Sequence, residues 1–290
     1  MNGGFGTPVL IGREERILEA MRSIGLERPD GIEIHNARLS GDNARYTDFL
    51  YARMQRNGFL RRDCQRLVNQ DRNAFAALMV ACGDADALVT GLTRNYFDSL
   101  DEVRRVIDPE PGRVVFGMTV LLAKGKTVLM ADTTVNELPT PEESASIAIQ
   151  AAAAARAMGL EPRVALLSYS NFGNPARPRT ERVRETVAIL DSRKVDFEYD
   201  GEMSVDVALD QDLMRRLYPF CRLSGPANVL VMPALHGANI SSKMMQVLGG
   251  GVVVGPLLMG LSASAQIVEA SATVSDLANM AVLAAHAAGR

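Results

Sequence analysis

Short runs of β-branched and other apolar residues alternate along the chain with segments of helical periodicity. This alternation is typical of βαβ units, which build a mostly parallel sheet. The pattern therefore predicts the α/β class. Predicted strands cover residues 8–11, 31–35, 87–90, 114–122, 127–130, 163–167, 229–232 and 251–258.

Apolar residues recur at helical spacing between these strands. The clearest helix signal begins at Thr140, because Pro141 suits the first helical position, Glu143 completes a capping box and Gly159 ends the segment. The last helix carries an apolar stripe, which predicts an element docked on the core. Helices are predicted over residues 14–24, 43–56, 61–82 (as one or two helices), 140–159, 178–192, 239–248 and 274–288.

A Lys124-Gly125-Lys126 turn between two strands predicts a hairpin and interrupts the alternation. A chain of 290 residues exceeds the usual length of one domain, so we expect two lobes. The sequence has no low-complexity linker and no fixed-period repeat. Any two lobes must therefore be joined by short crossings, near residues 113–140 and 255–265.

Charge and hydropathy exclude several classes of protein. The chain has 31 Lys and Arg against 34 Asp and Glu, for a net charge of −3. This balance gives no general attraction to nucleic acid or to an anionic membrane. No apolar run approaches the roughly 20 residues that cross a bilayer, and the first six residues lack the parts of a signal peptide, so we expect a cytoplasmic protein.

Cysteine and histidine are sparse and scattered. Cys64, Cys82 and Cys221 have no CxxC spacing, so they are predicted to be reduced and structural. The three histidines are equally isolated, and the spacing indicates no metal-ligand cluster, although residues distant in sequence can still meet in a fold. We expect neither a metal ion nor a resident cofactor in this chain.

The loop at residues 168–174 is a candidate ligand site, because open parallel sheets bind ligands beyond the carboxyl ends of their strands. It offers hydroxyl, amide and glycine groups ahead of a helix whose first N–H groups can receive a phosphate. The candidate ligand-binding residues are Ser168, Ser170, Asn171 and Gly173. An ordinary turn with a polar cap explains the same residues.

Two further loops carry groups suited to anions. Arg94, after strand 87–90, presents a guanidinium that can fork onto a phosphate or a carboxylate, or can simply face solvent. Thr133 and Asn136, after strand 127–130, supply a hydroxyl and an amide, and turn formation explains them equally well.

Asp276, at the start of the last helix, is a candidate general base, because a carboxylate can take a proton from a thiol or hydroxyl. Thr273 stands three residues before it. A capping interaction between the two would by itself suffice to explain the pair.

Five blocks in order carry a family resemblance: ADTTVN, EPRVALLSYSNFG, ANVLVMPALHGANISSKMMQ, GPLLMGL and SDLANMAVLAA. Together they resemble the phosphate acetyltransferase and butyryltransferase family, with matching segments from Pro8 to the end. The segment DALVTGLTRNYFDSLDEVRRVID is similar to the version of this domain fused behind the catalytic domain of bacterial NADP-dependent hybrid malic enzymes. The resemblance implies the C-terminal domain of such an enzyme.

The resemblance also implies two α/β lobes with mostly parallel sheets around a cleft, the first of residues 1–118 with 259–290 and the second of residues 119–258. In working members of the family, CoA attacks acetyl phosphate directly. An aspartate helps to remove the thiol proton, while a serine and arginines stabilise the phosphate and the developing charge.

These roles carry over to this sequence only in part. Asp276 matches the family aspartate, but Glu269 and Ala270 stand where the serine and arginine are expected. Asp101 replaces an arginine and Thr133 replaces a cysteine. Because an acid repels phosphate and alanine supplies no charge, the resemblance implies a degraded transacetylase site in which Asp276 is a vestigial base.

Loss of transacetylase activity need not abolish CoA binding, because nucleotide and pantetheine groups are held largely by backbone, apolar and peripheral contacts. The resemblance therefore implies an acetyl-CoA- or CoA-binding regulatory and oligomerisation domain that acts on a malic enzyme catalytic domain in the same chain. We expect a homo-oligomer. The Gly run at 249–251 precedes a strand, so it predicts no NADP site.

Two alternatives stay open. One is an active phosphate acetyltransferase that uses Asp276 with Arg94 as the replacement arginine. The other is a purely structural oligomerisation module.

Overall fold

Helices and strands alternate through most of the computed structural model, which describes residues 4–289. The chain folds into two compact units: unit 1 runs to Pro109 and resumes at Leu261, and unit 2 is Glu110–Gly260. The sequence prediction instead placed the divisions at 118/119 and 258/259. Strand β4 (Phe116–Ala123) pairs with β9 (Val252–Met259), so both strands lie whole within unit 2.

Unit 1 contains two pairs of parallel strands and the helices packed on them. Strand β1 (Val9–Ile11) pairs with β2 (Glu33–His35), and β3 (Ala87–Gly91) pairs with β10 (Ser264–Val268). The helices are α1 (Glu14–Ser23), α2 (Asn43–Met54), a 3₁₀ turn at Gln55–Asn57, α3 (Arg61–Gln70), α4 (Arg72–Ala81), α5 (Tyr96–Arg104) and α11 (Val274–Ala288). Helix α4 is the core helix, with each residue from 74 to 80 buried, because it is apolar around most of its circumference.

Unit 2 is built on a six-stranded sheet in the order β7-β6-β8-β5-β4-β9. Strands β5, β8, β6 and β7 are mutually parallel, whereas β4 is antiparallel to both β5 and β9. The further strands are β5 (Lys126–Ala131), β6 (Arg163–Leu167), β7 (Glu198–Met203) and β8 (Val229–Val231), and the helices are α6 (Pro141–Ala157), α7 (Pro178–Arg193), α8 (Val205–Leu209), α9 (Gln211–Leu217) and α10 (Leu235–Leu248). The predicted α/β class with mostly parallel strands is confirmed.

Two local predictions are confirmed in detail. The β4–β5 hairpin turns at Lys124 and Gly125, both at positive φ, as a two-residue type I′ turn requires. At the start of α6, Thr140 Oγ1 accepts from the Glu143 N–H at 3.2 Å, and Glu143 Oε2 accepts from the Thr140 N–H at 2.7 Å.

The sequence reading missed several elements. Strands β7 and β10 and helices α5, α8 and α9 were not predicted, and α10 begins at Leu235, earlier than the predicted residue 239. Strand β7 escapes detection because its sequence, EYDGEM, is polar, yet Asp200 and Glu202 are buried within it.

The cysteines are free, as predicted. Burial raises the pKa of each thiol, that of Cys221 to about 11, so all three are protonated near neutral pH. Between residues 4 and 289, no helix has the length and apolar character needed to span a membrane.

Candidate functional site

Four parallel strands of unit 2 end at the same edge of the sheet. Ala131 of β5 pairs with Val231 of β8, which pairs with Leu166 of β6, and Leu167 of β6 pairs with Met203 of β7. The loops that follow these strands therefore start side by side. This edge is where open α/β sheets bind ligands.

Asp132, the first residue after β5, organises the loop that carries Thr133 and Asn136. The residue is 3% exposed, and its carboxylate accepts from five N–H groups. These donors offset the loss of hydration of a buried carboxylate. They are the backbone N–H groups of Gly117, Thr134, Val135 and Asn136, at 2.8, 2.8, 3.0 and 2.6 Å, and Asn136 Nδ2 at 2.7 Å.

Thr133 and Asn136, both predicted ligand-binding residues, are engaged inside unit 2. Thr133 is buried, with Oγ1 lying 2.9 Å from Thr119 Oγ1 and 3.3 Å from the Gly117 carbonyl oxygen. Asn136 Nδ2 also donates to the Val115 carbonyl at 2.9 Å. Their polar groups hold the loop in place.

The loop at 168–174 is tied to strand β7. The buried Ser170 hydroxyl and the Gly173 N–H both donate to Glu202 Oε1 at 2.8 Å. Asn171 Oδ1 accepts from the N–H and the hydroxyl of Ser204, at 2.8 and 3.1 Å. Three of the four predicted residues in this loop therefore shape it, and Ser168 is the one that lines a pocket.

Glu202 holds the candidate loop at 168–174 and was missed by the sequence reading. Its side chain is 0% exposed, and Oε2 has no hydrogen-bond partner within the described part of the chain. Arg184 Nε lies 3.9 Å from Oε2. No signal in the polar β7 sequence marks this residue, because its burial depends on the neighbouring loop.

A pocket of about 210 Å³ opens beside these loops, and all its lining residues belong to unit 2. Strands β6 and β8 form its floor, and the starts of α6 and α7 form its sides. Two cations, Arg179 and Arg182, line it. The other lining residues are Leu138, Pro139, Pro141, Ser144, Leu166, Leu167, Ser168, Tyr169, Val183, Thr186, Val231, Met232, Pro233 and Ala234.

In unit 1, Arg94 is held by two carboxyl groups. Its Nη1 donates to Asp71 Oδ2 at 2.5 Å and also to Glu102 Oε1. Asn73 joins the cluster by donating from Nδ2 to Glu102 Oε2 at 2.7 Å. The predicted phosphate fork is thus part of an internal ion-pair network.

The pKa values of the two carboxyl groups in this network shift in opposite directions. Burial raises the pKa of Glu102, with the nearby Asp71 charge acting in the same direction. Burial would also raise the pKa of Asp71, but the N–H of Ala74 and the charge of Arg94 outweigh it and lower that pKa. Asp71 is therefore the principal anionic partner of Arg94.

Asp276 caps helix α11. Its Oδ2 accepts from the N–H and the hydroxyl of Thr273, both at 2.8 Å, and Thr273 Oγ1 accepts from the Asp276 N–H at 3.2 Å. The capping alternative that the sequence offered is present in full.

Three of the positions that the resemblance marks as replaced also lie in unit 1. Glu269 and Ala270 directly follow β10, and Asp101 is exposed on α5. Because Gly91 of β3 pairs with Val268 of β10, Arg94 and Glu269 follow adjacent strands at one edge. The structure thus groups the predicted residues into two sets, one in each unit. In residues 4–289, no cluster of three or more His, Cys, Asp or Glu could hold a metal ion.

Comparisons with known proteins match the chain to one protein family and to part of several longer enzymes. The family model described as "Phosphate acetyl/butaryl transferase" matches residues 1–285. The chain is 58% identical over 289 residues to the NADP-dependent malic enzyme of Rhizobium meliloti, and 47% identical over 291 residues to the probable NADP-dependent malic enzyme of Rickettsia prowazekii. These alignments cover 99% and 97% of the chain, which spans only 38% of the length of either relative.

The fold matches a solved enzyme structure. A phosphotransacetylase from Streptococcus pyogenes superimposes with a TM-score of 0.90 at 26% identity, covering 97% of this chain and 86% of that one.

Proposed function

We propose that this chain, which belongs to the phosphate acetyltransferase and butyryltransferase family, is an acetyl-CoA-binding regulatory and oligomerisation domain of an NADP-dependent malic enzyme. The identity of 58% to a malic enzyme of greater length supports a catalytic domain in the same chain as its partner. In this proposal the transacetylase site is degraded.

The ion pairs of Arg94 with Asp71 and Glu102 are the observation that best supports the proposed loss of transacetylase activity. Glu269 and Ala270 occupy the family's serine and arginine positions, so Arg94 is the best remaining candidate to hold a phosphate at that edge. Asp71 and Glu102 already engage its guanidinium. A phosphate would have to displace one carboxylate and approach the other, which disfavours binding.

The position of Asp276 agrees with a vestigial base. Its Oδ2 accepts two hydrogen bonds from Thr273, and this capping geometry gives the residue a structural reason to persist without catalysis. A general base must instead lie within hydrogen-bonding reach of the proton that it removes.

The loops of unit 2 support retained binding. Asp132 and Glu202 fix the two loops at the sheet edge through buried hydrogen bonds that use none of the lost positions. A binding framework can therefore survive the loss of the family's serine and arginine, in whose places the resemblance puts Glu269 and Ala270. Acetyl-CoA bound there would regulate malate oxidation only if the two conformations of the parent enzyme bind it with different affinity.

Acetyl-CoA titration of the folded chain, together with a transacetylase assay, tests the proposal. Binding without turnover supports the regulatory domain. Turnover would favour the active phosphate acetyltransferase, and absence of both would favour the structural oligomerisation module.

A further inference from the structure

One face of α7 presents two arginines to the unit 2 pocket. Arg179, Arg182, Val183 and Thr186 follow the i, i+3, i+4, i+7 spacing of a single helical stripe, and all four line the pocket. The first turns of α7 therefore place cations beside apolar side chains on the same wall.

The rest of the pocket is mainly apolar. Leu166 and Val231 come from the ends of β6 and β8, and Met232 is buried beside them. Leu138 and Pro139 close the side towards α6. Hydroxyl groups are few, and the nearest to the strand ends is that of Ser168.

The charges of this pocket are not balanced. Its lining residues, all between 138 and 234, include no Asp or Glu. Within the described chain, the Arg179 guanidinium has no hydrogen bond or ion pair, and the Arg182 side chain donates from Nη2 to the neutral Pro139 carbonyl at 3.0 Å. Other α7 arginines differ, since Arg184 pairs with Glu181 and Arg193 with Glu142.

We propose that this pocket is a binding site for a small organic carboxylate with a short apolar body. The guanidinium groups match a carboxylate in charge and in planar fork geometry, and the apolar walls match a short hydrocarbon body. A volume of about 210 Å³ lies below the roughly 300–1,000 Å³ of pockets for drug-sized ligands, so it suits a small metabolite.

This site borders the loop at 168–174 through Ser168, but it is tested separately from the proposed acetyl-CoA binding. Its lining belongs to unit 2, and it includes none of Arg94, Asp276, Glu269 or Ala270. The probe is titrated without acetyl-CoA, so either proposal can fail while the other stands.

Isothermal calorimetry of the full chain with 3-methylbutanoate tests the site. We expect saturable millimolar binding of 3-methylbutanoate. The neutral analogue 3-methylbutan-1-ol and inorganic phosphate should bind much more weakly, because the alcohol lacks the carboxylate and phosphate lacks the apolar body. Arg179→Ala should raise the Kd about tenfold or more, since a charge-assisted hydrogen bond is lost. Arg193→Ala, on the same helix but outside the pocket, should leave the Kd unchanged.

A second variant reduces the volume of the pocket without changing its charge. Ser144→Met fills the pocket from α6 while keeping both arginines, and it should also weaken 3-methylbutanoate binding. Three results would overturn the proposal: no binding of 3-methylbutanoate to the folded chain, equal binding of the alcohol or phosphate, or equal effects of Arg179→Ala and Arg193→Ala.

Discussion

The Ser170 hydroxyl donates a hydrogen bond to Glu202 Oε1 at 2.8 Å, and neither side chain is exposed to solvent. The Gly173 N–H donates to the same oxygen. A buried carboxylate on β7 therefore fixes the loop after β6 from beneath. The loop that was expected to bind phosphate keeps its shape through hydrogen bonds to the Glu202 side chain.

Ser170→Ala should lower the stability of the chain by about 1–3 kcal/mol, because it removes a donor from a buried carboxylate. For a chain of this size that corresponds to a fall in Tm of roughly 2–10 °C. Thermal unfolding followed by circular dichroism measures it. Ser168→Ala is the matched control, since Ser168 lies 3.4 Å from Ser170 Oγ and has no bond to Glu202. Equal effects of the two changes would contradict the assigned role of Ser170.

Asp132→Asn should destabilise the chain by about 3 kcal/mol or more. An amide in place of the carboxylate turns an N–H₂ group towards donors, and several buried N–H groups lose their acceptor. Urea unfolding measures this change in the free energy of unfolding. Asp196→Asn removes an exposed partner of Arg156 in the same unit and should have a much smaller effect. A mild phenotype for Asp132→Asn would refute the idea that this carboxylate organises the loop.

The Arg94 network predicts a pH-dependent difference between two variants. Folding lowers the pKa of Asp71, so its contribution is complete above the unfolded pKa of about 3.9 and is lost as the pH falls through the lower folded value. Asp71→Asn should therefore reduce Tm at pH 7, and this reduction should shrink as the pH drops below about 4.

Glu102 has the opposite linkage and serves as the comparison. Folding raises its pKa, so its contribution is present below the unfolded value of about 4.3 and is lost as the pH rises through the folded one. Glu102→Gln should thus reduce Tm at pH 7 less than Asp71→Asn does. Thermal scans from about pH 3 to about pH 8 show which variant loses more stability at neutral pH. A larger loss for Glu102→Gln would mean that the roles of the two acids are reversed.

The folded chain should show no meaningful transacetylase turnover. The family resemblance implies that Glu269 and Ala270 replace a serine and an arginine, and Arg94 is engaged by Asp71 and Glu102. Incubation with CoA and acetyl phosphate, followed by detection of acetyl-CoA, measures it against an active phosphate acetyltransferase as positive control. Turnover near the typical enzyme rate of about 10 per second would contradict the degraded site.

Much of the fold was predictable because strong local signals agree with the tertiary structure. The apolar strand 163–167 and the amphipathic helix 274–288 have the predicted bounds, and the capping box at Thr140 is formed. Strand β7 was not predictable, because Asp200 and Glu202 are buried through partners distant in sequence, including Arg222 and Ser170.

The site was predictable only as a set of loops. The sequence locates Arg94 after a strand, but it does not reveal that Asp71, 23 residues earlier, will hold its guanidinium. Likewise, the sequence places Arg179 and Arg182 near the start of a predicted helix, but it does not show that β8, distant in sequence, forms the floor of their pocket. Both cases depend on long-range contacts that no local pattern encodes.

Calorimetric titration of the folded chain with acetyl-CoA tests the central claim most directly. We expect saturable binding that stabilises the chain by about 2.7 kcal/mol at a ligand concentration of 100 Kd, with an upward shift in Tm of roughly 5 °C or more. Acetate or adenine alone should do much less. Absence of detectable acetyl-CoA binding at millimolar ligand, in a chain shown to be folded, would contradict the regulatory domain and leave the structural oligomerisation module.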